Sequence, residues 1–145
     1  MNMDNIALLR QWDHPNEWER PTSLIRAELL ASIESVVEKL STKAKSEFAV
    51  KDDIEDASFC AEVILGQKKT SLGLYEQRLI FSNFGKMVTV NDPDIPRDTI
   101  KLIKETLEGD GFYYIDFEIA ESEYDGAIED KDRIRTWFNR FFDYL

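Results

Sequence analysis

The chain has 145 residues, 43% hydrophobic and 12% aromatic, and carries 18 Lys and Arg against 29 Asp and Glu, a formal net charge of −11. That is single-domain length, and a domain of this size buries roughly 68–70% of its unfolded surface, enough to fold without disulfides or metal. The charge argues against a nucleic-acid binder or a membrane-surface protein, both of which need Lys and Arg against phosphate. Its field draws basic partners instead.

In chain order, residues 1–21 hold the short apolar piece Ile6-Ala7-Leu8-Leu9. A polar stretch follows with Trp12 and Trp18, which are expected to pin the segment to the domain. Ile25, Leu29, Ile33, Val36 and Leu40 recur at helical spacing and predict a helix over residues 23–41 capped by Thr22. From Lys45 the period changes to two. Short strands are expected at 47–50, at 59–66 and at 72–81, the last with a bulge at Gly73. Ser82-Asn83-Phe84-Gly85 reads as a turn into a strand over 86–90. Ile100, Ile103 and Leu107 mark a second helix that Gly109 and Gly111 end, and Phe112–Ile115 a further strand. Residues 116–132 read as an acidic linker. Ile134, Trp137, Phe138, Phe141, Phe142 and Leu145 suggest a terminal helix from Arg133. The reading is one α+β domain over 1–145, a mainly antiparallel sheet of about four to five strands with helices packed on it.

No catalytic constellation emerges. The single histidine, His14, lies in a polar segment, and the single cysteine, Cys60, lies in the apolar run Phe59-Cys60-Ala61, where burial raises a thiol pKa rather than activating it. No Ser sits in a nucleophile elbow, and the six glycines form no phosphate loop. Asp92-Pro93-Asp94 resembles the start of a calcium loop, but that register puts Arg97 where the turn Gly belongs and Ile103 where the bidentate Glu belongs. The chain therefore reads as a non-enzyme without metal or cofactor. A carboxylate-dependent hydrolase is the remote alternative. The start Met1-Asn2-Met3-Asp4 lacks signal-peptide character and the apolar runs are short, so a cytoplasmic protein is expected. A monomer is expected as well.

The acidity is uneven. Asp52, Asp53, Glu55 and Asp56 form one cluster, and Asp92 with Asp94 a second. Residues 116–132 form the third and densest, with Glu121, Glu123, Asp125, Glu129 and Asp130 among its carboxylates. Charge runs are ordinarily solvated faces. Here Phe117, Ile119 and Tyr124 are interleaved, a composition that suits an ordered interface against Lys and Arg, with Tyr124 and Phe117 as apolar anchors. The candidate binding residues are thus Asp52, Asp53, Glu55, Phe117, Glu121, Glu123, Tyr124, Asp125, Glu129 and Asp130.

Three stretches carry a family resemblance: Arg78-Leu79-Ile80-Phe81-Ser82-Asn83-Phe84-Gly85, Glu123-Tyr124-Asp125-Gly126, and Thr136 through Leu145. Together they resemble the immunity proteins of bacterial polymorphic-toxin systems, including the CdiI-type proteins of contact-dependent growth inhibition, and within these the group called immunity protein 41. The resemblance implies a cytoplasmic protein that binds the toxic C-terminal domain of a large effector, often a nuclease with a basic cleft, and neutralises it stoichiometrically. The alternative is an acidic adaptor or regulator that binds a basic host protein.

Overall fold

The computed structural model describes residues 4–145, and the Met1–Met3 start lies outside them. Its frame is a five-stranded sheet: β1 (Val50–Lys51), β2 (Phe59–Thr70), β3 (Gly73–Ser82), β4 (Met87–Val90) and β5 (Tyr113–Tyr114), in that spatial order. The first four pair antiparallel. The last pairs parallel to β4 after the crossover helix α3 (Arg97–Gly109). The α+β architecture expected from the sequence is therefore present, with one parallel edge.

Alternation along the strands sorts side chains to two faces. On one face Ala61, Val63, Leu79, Phe81, Val88 and Val90 meet Leu29, Ile33, Val36, Val37 and Leu40 of α2 (Arg26–Ala44), together with Ile103 and Leu107 of α3. The other face buries Phe59, Ile80 and Met87 under Leu8 and Leu9 of α1 (Asn5–Gln11), Ile115, Tyr124, Trp137, Phe141 and Phe142. Helices cover one face, and the two ends of the chain cover the other. Cys60 is free and buried, and burial pushes its thiol up to about 12.

Several boundaries differ from those the sequence suggests. Thr22 does not cap α2: its hydroxyl and its N–H both go to the Glu17 carboxylate, so the helix starts at Arg26 behind an exposed Ile25. α2 runs on to Ala44 and ends in a Schellman motif, with Lys45 left-handed and Ser46 N–H bonded to Ser41 O. The first strand is only Val50–Lys51 rather than 47–50, and β2 continues past Gly66 to Thr70. Gly73 is no bulge. It closes the β2–β3 turn at φ 120°, and the register shifts lie at Phe59/Ala61 and Ile64/Gly66. Gly85 turns β3 into β4 at φ 56°, and a Cβ there would strike the Trp12 indole. The terminal helix shrinks to α5 (Trp137–Phe141), capped by the Thr136 hydroxyl in a capping box with Asn139. Extended bridges on both sides, Glu123 with Thr136 and Ala57 with Tyr144, hold its flanks out of helix. Among the described residues, no helix is long and apolar enough to cross a membrane.

Candidate binding surface

The acidic stretch after β5 is built around a buried ion pair. Asp13 leaves the end of α1 and meets Arg140 of α5, Nε to Oδ1 at 2.8 Å, with both side chains almost wholly enclosed. The Tyr124 hydroxyl donates to the same carboxylate at 2.8 Å, and the Ala127 N–H donates to it at 2.7 Å. The Tyr124 oxygen in turn accepts from Ile128 N–H. Arg140 spends its remaining donors on the carbonyls of His14, Glu17 and Trp18, and its guanidinium lies over the Phe141 and Phe84 rings. Each buried charge is thus paired and hydrogen-bonded, the condition under which burial is tolerated. Gly126 passes so close that a Cβ would strike the Asp13 carboxylate. This cluster ties three segments together: residues 13–18, 124–128 and 140.

Consequently the 116–132 stretch is not a plain linker. Residues Phe117–Ala120 form a one-turn helix α4, and the remainder wraps the second core. Tyr124 is 8% exposed and packs edge-on to Trp137 at 4.7 Å, so it is a core residue and not a surface anchor. Burial pushes its phenol up to about 12, so it remains a protonated donor at neutral pH. Phe117 is likewise no free anchor, being half-buried against the core under α2 and α3.

The carboxylates divide by what they already hold. Asp125 pairs with Arg10 at 2.9 Å, and Asp130 with Arg133 at 2.9 Å. The Asp92 and Asp94 cluster is spent on Lys68, 2.8 Å from each, and Asp92 is buried. By contrast Glu121, Glu123, Glu129, Asp52, Asp53, Glu55 and Asp56 enter no ion pair among the described residues. These have charge to offer a partner.

Two of these groups meet at the end of the chain. Leu145 N–H bonds to Asp56 O at 2.7 Å, and Tyr144 bridges Ala57, so the last residues run beside the 52–56 loop. Asp143 is fixed to Ser58 through backbone and hydroxyl. Glu121 lies within electrostatic reach of Asp143: partial burial and then that negative neighbour hold its carboxyl above the usual range. Between them Tyr144 is 55% exposed, its ring set edge-on against Phe59 at 5.1 Å. Arg26 Nη2 holds the 52–56 loop through Asp52 O. The result is an exposed aromatic side chain backed by Phe59, on a chain end whose backbone runs beside the 52–56 loop and whose neighbour Asp143 lies within electrostatic reach of Glu121. Helical periodicity from Arg133 places Tyr144 on a terminal helix, so it is not among the candidate residues the sequence offers. The signal available was its place beside Asp143, at the end of an aromatic-rich segment.

Among the described residues, no group of three His, Cys, Asp or Glu side chains is placed to hold a metal ion. Comparison with known proteins finds no matching family model, no matching curated protein and no matching solved structure.

Proposed function

We propose that this chain is an immunity-type inhibitor that binds a basic toxin domain, a nuclease by preference, through the acidic surface around Tyr144. The observation that carries the reading is the patch itself. Carboxylates at 52–56 that enter no ion pair, and the Asp143 and Glu121 pair, lie on the segments that run beside a half-exposed aromatic packed on Phe59 of the second core. An aromatic anchor ringed by charge is the composition of an interface hot spot, and Lys or Arg on the partner supplies the complement. The net charge of −11 steers such a partner in from a distance. The sequence resemblance to polymorphic-toxin immunity proteins points the same way, and such an inhibitor acts in the cytoplasm.

The test is titration of the purified chain into the toxin domain encoded by the neighbouring reading frame, followed by calorimetry and by the toxin's own activity. The reading expects a one-to-one complex that abolishes activity, with an association rate that falls as salt is raised. Binding that ignores salt contradicts the electrostatic part. A basic host protein captured while the toxin domain is not would favour the adaptor reading instead.

A further inference from the structure

The β2–β3 hairpin projects beyond the rest of the sheet. β1 reaches only Val63 and Glu62 of β2, and β4 reaches only Leu79–Phe81 of β3. The outer part of the hairpin, Gly66–Thr70 and Gly73–Gln77, therefore has no strand on either side. One of its faces is covered: Lys68 reaches Asp92 and Asp94, Gln77 reaches Asp92, and the Tyr75 hydroxyl reaches Asn91 O. The opposite face carries Ile64, Gln67, Lys69, Leu74 and Glu76, all exposed. Leu74 is 70% exposed, Ile64 43%, and Leu72 at the turn 99%. An arm with three exposed aliphatic side chains offers an interaction surface.

Charge on this face selects the occupant. Cross-strand pairing sets Gln67 opposite Glu76 and Lys69 opposite Leu74, so the four form a square with Lys69 and Glu76 on one diagonal and Leu74 and Gln67 on the other. Neither Lys69 nor Glu76 enters an ion pair among the described residues. A twofold axis along the Leu74–Gln67 diagonal lays the face on its own copy. Leu74 then meets Leu74, Gln67 meets Gln67, and each Lys69 meets the other copy's Glu76. The two hairpins cross at right angles, one of the two regular ways in which sheets pack. The face is self-complementary, as a twofold interface requires.

The long-range field permits this contact. The unpaired acidic patch lies at the Phe59 end of β2, and the arm tip at the Thr70 end. Twelve residues of strand separate them, roughly 35 Å at about 3.3 Å per residue. That is several times the Debye length of about 8 Å at physiological salt, so two copies joined at their tips hold their acidic ends out of mutual range. We infer that this chain self-associates as a twofold dimer through the open face of the β2–β3 arm, with Leu74 at its centre and reciprocal Lys69–Glu76 pairs. The inference departs from the monomer expected in the sequence reading, and it leaves the Tyr144 surface free.

Sedimentation velocity on the full chain, from micromolar to millimolar concentration, tests it. The wild type gives a concentration-dependent monomer–dimer equilibrium, and Leu74→Glu lowers the association constant at least tenfold. Lys69→Glu alone and Glu76→Lys alone each set like charges across the axis and remain monomeric. An equimolar mixture of these two variants restores both pairs and dimerises. All three substituted positions are exposed, and circular dichroism checks that the variants stay folded. A wild type that remains monomeric at millimolar concentration overturns the inference. So does a mixture no more associated than its components.

Discussion

Replacing Arg140 with Met removes the cation from the buried cluster while keeping much of the side-chain volume. The Asp13 carboxylate then stays enclosed with only Tyr124 and Ala127 as donors, and the carbonyls of His14, Glu17 and Trp18 lose their partner. Breaking a buried pair from one side costs about 3–5 kcal/mol, because the remaining charge is desolvated without compensation. At about 2–4 °C per kcal/mol for a chain near this length, Tm falls by roughly 6–20 °C. Urea unfolding of wild type, Arg140→Met, Asp13→Asn and the double variant supplies the cycle. The expected coupling between the two sites is strongly favourable, and the double variant is less destabilised than the sum of the singles. Limited proteolysis should also open the 121–132 stretch in Arg140→Met before the sheet unfolds, since that loop hangs on the cluster. A loss below about 1 kcal/mol in Arg140→Met, with 121–132 still resistant, would refute this account of how the acidic loop is ordered.

Gly126→Ala should destabilise through the same cluster, because the added methyl must displace the Asp13 carboxylate from its donors; Tm against wild type reads this directly. Lys68→Met leaves Asp92 buried with Gln77 as its remaining side-chain donor. Burial raises the Asp92 pKa, but the bonds from Lys68 and Gln77 outweigh it and hold the carboxyl below its ordinary 3.8. An acid whose pKa is lowered on folding contributes stability above its unfolded pKa and loses it as pH falls through the folded one. The Lys68→Met penalty should therefore be full near neutrality and shrink below about pH 4, as acid-titrated unfolding would report. Glu121 behaves oppositely. Its carboxyl is raised above 4.5, so its ionisation destabilises the fold as pH rises through that range, and Glu121→Gln should raise Tm near neutrality but not at about pH 3. Cys60 should resist alkylation in the native chain and react only on unfolding, since its thiol is buried and held near 12; a fast native reaction would contradict its placement.

What the sequence made legible follows from local periodicity. Leu29, Ile33, Val36 and Leu40 lie on one helical stripe, and all four are buried as that spacing requires. The antiparallel run of β2, β3 and β4 is equally readable, because Ala61, Val63, Leu79, Phe81, Val88 and Val90 alternate and the Asn83–Gly85 turn separates two of the strands. Long-range pairing defeats the same reasoning. Thr22 has the chemistry of a helix cap, yet Glu17 competes for it and wins. The aromatics after Arg133 fit a helical spacing, but bridges to Glu123 and Ala57 hold the flanks extended. At the candidate surface, density of charge located the acidic stretches and could not say which carboxylates were already paired. Asp125 and Asp130 are held by Arg10 and Arg133, while Asp52–Asp56 are not. Tyr124 carries the polar tip and flat ring of an interface anchor, and a buried carboxylate from residue 13 claims that tip instead. A single charge within an aromatic run, Arg140 between Phe138 and Phe141, is the one sign of such a cluster; Asp13, in a polar stretch, gives none.

In the proposed function the surface around Tyr144 receives a basic toxin domain. Calorimetry of that domain with wild type, with Tyr144→Ala, and with Asp53→Lys combined with Glu55→Lys tests it most directly. Asp53 and Glu55 are exposed, so their double variant should keep the wild-type Tm, whereas Tyr144→Ala also loses its contact with Phe59 and should lower Tm slightly. The account predicts one-to-one binding by the wild type, with a loss of affinity of at least tenfold in each variant, about 1.4 kcal/mol or more. Wild-type affinity in both variants would contradict it and move the binding surface elsewhere on the chain.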